Sequence, residues 1–107
     1  MTPKQIVRFI EARRLPLTTE KRLQSALADE LLKNGHSFER EVDLGTGRII
    51  DFVIAGTGVE IKLKGQRSAI FRQCERYCQY RELHALVLAT NAPMGLPESI
   101  NGKPVFV

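Results

Sequence analysis

The chain predicts an α/β fold: two amphipathic helices, three antiparallel strands, a basic helix and a buried strand in one domain of 107 residues. Three observations carry that reading. Apolar residues recur at helical spacing at Ile6, Val7 and Ile10, and again at Leu23, Leu27 and Leu31. Strand-like runs between residues 38 and 64 are punctuated by Gly-Thr-Gly at 45–47 and at 56–58. A helical pattern over 67–81 then gives way to the apolar segment 84–90.

Each element follows from local chemistry. Thr2 caps the first helix, Pro3 fits its first turn, Gln5 reaches back to the cap, and Pro16 ends it. Residues 1–16 thus form an N-terminal helical extension to a core over 19–90. The second helix runs over 19–34 and stops at Gly35. Strands over 38–44, 48–55 and 59–64 make an antiparallel meander. The helix over 67–81 serves as a right-handed crossover to a parallel strand at 84–90. Residues 91–97 read as a loop, and 103–107 as a short edge strand.

The charges that stand out lie within the strands. Asp51 sits among Ile49, Ile50, Phe52, Val53 and Ile54, while Glu60 and Lys62 interleave with Val59, Ile61 and Leu63. Charges in such runs are costly unless paired or bound to metal. A two-residue loop at Gly56-Thr57 pairs Ala55 with Gly58 and Asp51 with Lys62, which sets Asp51, Glu60 and Lys62 on one face. Asp51 and Glu60 are then diagonal neighbours, about 7–8 Å apart at the backbone and within reach of one divalent cation. A loop with an odd number of residues would turn Asp51 to the opposite face. A structural ion pair explains Lys62 with one carboxylate and leaves the other unexplained.

Asp51 followed by Glu60-Ile61-Lys62 resembles the active-site signature of the PD-(D/E)XK nuclease superfamily, with Ile50 at the position of the name-giving proline. Glu20 at the start of the second helix is similar to the family's early helical glutamate. Gln73-Cys-Glu-Arg-Tyr77 is similar to its Gln-x-x-x-Tyr element. The resemblance spans about three quarters of the chain. It implies a restriction-endonuclease-like core, α-β-β-β-α-β, with a mixed central sheet flanked by helices. It implies that Asp51, Glu60, Glu20 and the Ile61 carbonyl hold Mg2+, with Mn2+ able to substitute. By the same resemblance Lys62 acts on the attacking water or the scissile phosphate, and Gln73 completes the metal or water shell. The expected activity is metal-dependent hydrolysis of DNA by a structure-selective endonuclease of repair, recombination or phage DNA processing. The alternatives are a non-catalytic nucleic-acid-binding module, a nuclease subunit that needs a partner, and a metal-dependent RNA nuclease.

Charge and composition agree with a polyanionic partner. Over residues 62–81 six basic side chains stand against Glu75 alone, and over 23–61 seven acidic ones outnumber three basic. Positive segments flanking a candidate metal site suit phosphates drawn to it. Lys64, Arg67, Arg72, Arg76 and Tyr77 are the expected nucleic-acid contacts. No apolar run approaches the roughly 20 residues of a membrane span, and the N-terminus lacks a signal-peptide core. The expectation is a soluble cytoplasmic protein, bacterial, archaeal or phage-encoded. Cys74 and Cys78 share one helix face and read as buried, reduced packing residues. A symmetric duplex or branched substrate has two strands to cut, so a homodimer paired through Ile6, Val7, Phe9 and Ile10 is also expected.

Overall fold

The helices begin where their capping chemistry directs. In the computed structural model, which describes residues 1–45 and 47–107, α1 spans Pro3–Glu11 and α2 spans Glu20–Lys33. The Thr2 hydroxyl accepts the Gln5 N–H at 3.2 Å, and Gln5 Oε1 accepts the Thr2 N–H at 2.8 Å. This reciprocal pair satisfies two amides at the helix's open end. Thr19 caps α2 through the Arg22 N–H at 3.1 Å. α1 stops well before Pro16: the Arg13 guanidinium lies 3.3 Å from the Phe9 ring centroid and donates to the Phe9 carbonyl at 2.8 Å, taking up a last-turn acceptor.

Strands β1 (Glu39–Asp43), β2 (Ile49–Ile54) and β3 (Thr57–Lys62) follow, then α3 (Arg67–Tyr77), β4 (Ala85–Thr90), β5 (Ser99–Ile100) and β6 (Lys103–Phe106). One mixed sheet holds them in the order β1-β2-β3-β4-β6-β5. β1, β2 and β3 are antiparallel, while β3, β4 and β6 run parallel. The C-terminal strand is thus interior to the sheet, with β5 outside it. The Asn101-Gly102 turn, at φ +52° and +77°, folds β5 back on β6. Asn-Gly is the strongest short-range hairpin signal, and it lies between the expected loop at 91–97 and the expected edge strand at 103–107. The expected turn at 45–47 includes Thr46, which lies outside the described residues.

The sheet separates two cores. Leu23, Leu27 and Leu31 of α2 and Ile6 of α1 pack with Phe52, Ile54, Val59, Ile61 and Val87. On the other side Ile70, Cys74 and Tyr77 of α3 pack with Ile50, Leu83, Leu86, Leu88 and Val105. Both cysteines are buried and unpaired with each other. Ile6 is 1% exposed, and Val7, Phe9 and Ile10 pack against the first core. α1 therefore uses its apolar face within its own domain, which withdraws the reason for expecting a homodimer through it. α3 ends at Tyr77, four residues early, where Gln79 and Tyr80 N–H groups close tight turns on the Arg76 and Tyr77 carbonyls, and side chains of the C-terminal hairpin hold the segment that follows. Asn101 Nδ2 donates to the Cys78 carbonyl at 3.1 Å, and Lys103 Nζ donates to that of Tyr80. Among the described residues no helix is long and apolar enough to cross a membrane.

The β2–β3 turn differs from the expected one by a residue at each end. Ile54 pairs with Thr57, so the loop is Ala55-Gly56, at φ +48° and +80°. These are the two positive φ values a two-residue type I′ hairpin requires. Alanine tolerates that conformation at a cost, whereas the β-branched Thr57 cannot take it readily and is buried in the strand instead. The pairing shifts by an even step, so Asp51, Glu60 and Lys62 keep their common face. Gly58, inside β3, is held to glycine by packing: a Cβ there would lie 2.5 Å from Ile50 Cδ1 and 3.0 Å from Leu83 Cδ1, both buried. Gly58→Val is expected to lower unfolding free energy by about 1–3 kcal/mol. Urea denaturation followed by circular dichroism measures it, and wild-type stability would contradict the packing.

Candidate active site

Asp51 stands where the sheet loses its regular pairing. On one side β1 and β2 pair from Asp43↔Ile49 to Glu39↔Val53, except at Glu41, which has φ +50° and lies opposite Asp51. On the other side the β2–β3 ladder ends at Phe52↔Val59. Alternation also breaks here: Ile50 packs in the core under α3, while Phe52 and Ile54 pack in the core under α1 and α2. Strict period two would put all three on one face. The backbone groups freed at this break bind carboxylates. The Ile61 N–H donates to Asp51 Oδ2 at 2.8 Å, and the Asp51 N–H donates to Glu60 Oε1 at 3.2 Å.

The β2–β3 ladder stops one residue short of Asp51 and Glu60, and these two residues meet through side chain and backbone, each carboxylate accepting an N–H from the other's strand. Glu60 is 4% exposed, in the central strand, and its Oε2 accepts from the Tyr77 hydroxyl at 3.1 Å. That hydroxyl also lies 2.9 Å from the Ile49 carbonyl and accepts from Gln73 Nε2 at 2.9 Å. Its single proton stands between two acceptors, so the protonation state of Glu60 decides which bond forms. Lys62 Nζ is 3.9 Å from Glu60 Oε2, an electrostatic contact too long for a direct hydrogen bond. Burial first, and then the neighbouring Asp51 charge, push the Glu60 carboxyl from the ordinary 4.5 up to about 8. Burial raises Asp51 as well, against the bond from Ile61 that lowers it.

The structure places the remaining expected residues around this pair. Glu20 reaches the end of β3, where Oε2 accepts the Leu63 N–H at 2.9 Å, and its charge opposes that of Asp51. It stands near the site without joining the carboxylate pair. The N–H and C=O of one strand residue leave on the same side, so the Ile61 carbonyl faces the gap between β2 and β3. Gln73 holds the Tyr77 hydroxyl, one turn of α3 away. Tyr77 is a correction: at 2% exposure it is unavailable to nucleic acid, and its ring packs in the core while its hydroxyl serves Glu60. The Gln73-to-Tyr77 spacing signalled a shared direction but could not show that the direction was inward. Lys64, Arg67 and Arg72 are exposed, with Arg67 Nη1 donating to the Pro93 carbonyl at 3.3 Å. Arg76 is half-buried, and its Nε has no hydrogen-bond partner among the described residues.

The donor set fits a hard divalent cation. Two partly or fully buried carboxylates lie near the Lys62 ammonium, and burial raises both above the ordinary carboxylate range despite that charge. Magnesium binds through one or two carboxylates, with waters and substrate phosphate completing its shell. Among the described residues no three His, Cys, Asp or Glu side chains gather into a cage that would hold a metal unaided.

Comparison with protein-family models, curated proteins and solved structures returned no match. The chemistry of the site therefore rests on its own geometry.

The raised Glu60 pKa has a measurable sign. Between pH 4.5 and about 8 the folded carboxyl keeps a proton that the unfolded chain has lost. Its contribution to stability is thus fully present below pH 4.5 and is lost as the pH rises to about 8. In the absence of divalent cations, thermal melting across this range is expected to show falling stability that Glu60→Gln largely abolishes. An unchanged slope in the variant would remove Glu60 as its source.

Proposed function

We propose that this protein is a metal-dependent nuclease that hydrolyses phosphodiester bonds of DNA, with a restriction-endonuclease-like core formed by α2, β1 to β3, α3 and β4. The observation that carries the reading is the meeting of two carboxylates, half-buried Asp51 and buried Glu60, at the break in the sheet, each accepting a backbone N–H from the other's strand. A purely structural ion pair has no use for the second carboxylate, which burial makes costly. The sequence resemblance to the PD-(D/E)XK superfamily, through Asp51, Glu60 and Lys62, points the same way.

Asp51 and Glu60 would hold Mg2+ with the Ile61 carbonyl. The cation, when bound, supplies acidification of water and neutralisation of phosphate charge. Lys62 carries a partly exposed ammonium beside Glu60 and stabilises negative charge that develops on the phosphate or the water during attack. Gln73 orients the Tyr77 hydroxyl, and that hydroxyl fixes one oxygen of Glu60, leaving Oε1 toward Asp51. Such supporting bonds keep a ligand's geometry set before substrate arrives. Lys64, Arg67 and Arg72 are exposed after β3 and along α3, where they draw the phosphate backbone without reading bases. Contacts confined to the phosphate backbone favour selection by substrate structure, at ends, flaps or branches, over selection by sequence.

Cleavage of labelled linear, flap and four-way-junction DNA with Mg2+, Mn2+ or chelator tests the proposal. Wild type is expected to cut with either metal and stop with chelator. Asp51→Asn and Glu60→Gln should fall to background and lose the rise in melting temperature that Mn2+ gives wild type. Lys62→Ala should lose roughly 10²–10³-fold in rate while keeping that rise. Tyr77→Phe should lose about 10–100-fold, through metal affinity or rate. Either carboxylate variant cutting at the wild-type rate would take that residue out of the site.

The basic surface has its own measurement. Arg72→Ala should weaken DNA binding equally across sequences and make the salt dependence shallower by about one unit. Losses that vary with sequence, read by fluorescence anisotropy, would instead mark Arg72 as a base contact.

A further inference from the structure

We propose that Asn101 is a positioning residue for the carboxylate site, an inference that rests on the nuclease reading above. Its side-chain amide holds the end of α3 and so sets where the neighbouring Tyr77 delivers its hydroxyl to Glu60. The turn that contains Asn101 explains the residue only in part. Ile100 pairs with Lys103, so Asn101 and Gly102 form a two-residue loop, at φ +52° and +77°. Asparagine takes a left-handed conformation at low cost, which suits this type I′ turn. Aspartate or glycine would meet the same backbone demand. Neither would supply what the amide supplies: Nδ2 donates at 3.1 Å to the carbonyl of Cys78, 23 residues away in the chain.

That carbonyl stands where α3 gives out. Tyr77 is the last helical residue, and the amides beyond it close tight turns on the Arg76 and Tyr77 carbonyls. The Cys78 carbonyl therefore lies past the helical ladder, on a residue 1% exposed, and Asn101 supplies its donor. A helix end without such partners frays. The Tyr77 hydroxyl has little room for that, because its oxygen is set by Gln73 Nε2 at 2.9 Å, the Ile49 carbonyl at 2.9 Å and Glu60 Oε2 at 3.1 Å. A displacement of about 0.5 Å would carry the Glu60 contact out of hydrogen-bond range. The hairpin is in turn tied to the strand that carries Glu60: Val105 of β6 pairs with Leu86 of β4, and Leu88 of β4 with Glu60 itself. Contacts thus close a ring, from Glu60 through β4 and β6 to Asn101, then to Cys78, Tyr77 and back to Glu60. Lys103, donating to the Tyr80 carbonyl, is a second link from the same hairpin. Asn101 is the link adjacent to Tyr77.

The test is Asn101→Gly and Asn101→Asp, each made in the wild-type and in the Tyr77→Phe background. Both replacements suit the turn, but glycine removes the donor and aspartate sets an acceptor against a carbonyl. In the wild-type background, Asn101→Gly is expected to lower Mn2+ affinity, read by calorimetry, or the rate of DNA cleavage with Mg2+, by about three- to tenfold. That is less than the roughly 10–100-fold lost with a group that touches a ligand directly. Asn101→Asp should lose more. In the Tyr77→Phe background neither substitution should lower affinity or rate further, because the hydroxyl through which Asn101 acts is gone. A loss by the same factor in both backgrounds would assign Asn101 to general stability and overturn the proposal, leaving the nuclease reading standing. Wild-type affinity and rate in both Asn101 variants would overturn it equally. If Asn101→Asp does not fold, Asn101→Gly decides alone. A wild-type protein that neither binds Mn2+ nor cuts any DNA or RNA would overturn the nuclease reading and this inference together.

Discussion

Two carboxylates, Asp51 and Glu60, are held face to face in the interior of a sheet beside a single ammonium, and the surrounding structure is arranged around what that costs. A desolvated carboxylate is stable only if protonated, hydrogen-bonded or matched by a cation. Each response is visible here. Glu60 rises to about 8, so its carboxyl keeps a proton at neutral pH. Backbone N–H groups of Ile61 and Asp51 turn from the ladder to the carboxylates. The same environment reaches Cys74, where burial, then Cys78 and then Glu60 push the thiol up to about 12. Its thiolate is thus suppressed, which suits a packing residue beneath a charged site.

The support for Glu60 runs across the sheet to the end of the chain. The Tyr77 hydroxyl contacts Glu60 only because α3 lies at a set height over β2 and β3, with Ile70, Cys74 and Tyr77 in the core. That height is held at the helix's C-terminus, where Asn101 and Lys103 bind the carbonyls of Cys78 and Tyr80. The β5–β6 hairpin, distant in sequence from the site, therefore helps to aim a hydroxyl at it. On the opposite face α2 brings Glu20 to the Leu63 amide and so fixes the end of β3, one residue past Lys62. The site is gripped from both layers, while its open side lies where the strands part.

Local rules were enough for much of this. Thr2 and Thr19 cap their helices because a hydroxyl at that position satisfies an amide whatever lies around it. Alternating apolar residues marked β2 and β3, and a two-residue turn put Asp51, Glu60 and Lys62 on one face. That inference survived an error in the turn's position, since an even shift leaves the faces unchanged. The arginines of α3 were less legible. Arg67, Arg72 and Arg76 look alike in sequence, yet only the first two are exposed, because Arg76 turns toward the packed side of its helix.

By itself the sequence determined the element types, the α/β class, and the company of two carboxylates and a lysine on one strand face. Those depend on spacing and on side-chain preferences acting over a few residues. Only the tertiary structure decided that Asp51 and Glu60 take up backbone N–H groups from each other's strand, that Tyr77 is buried against Glu60, that α1 is occupied within its own domain and that β6 is interior. These were settled by competition among distant segments for the same buried surface and the same backbone acceptors, a competition that local spacing does not record.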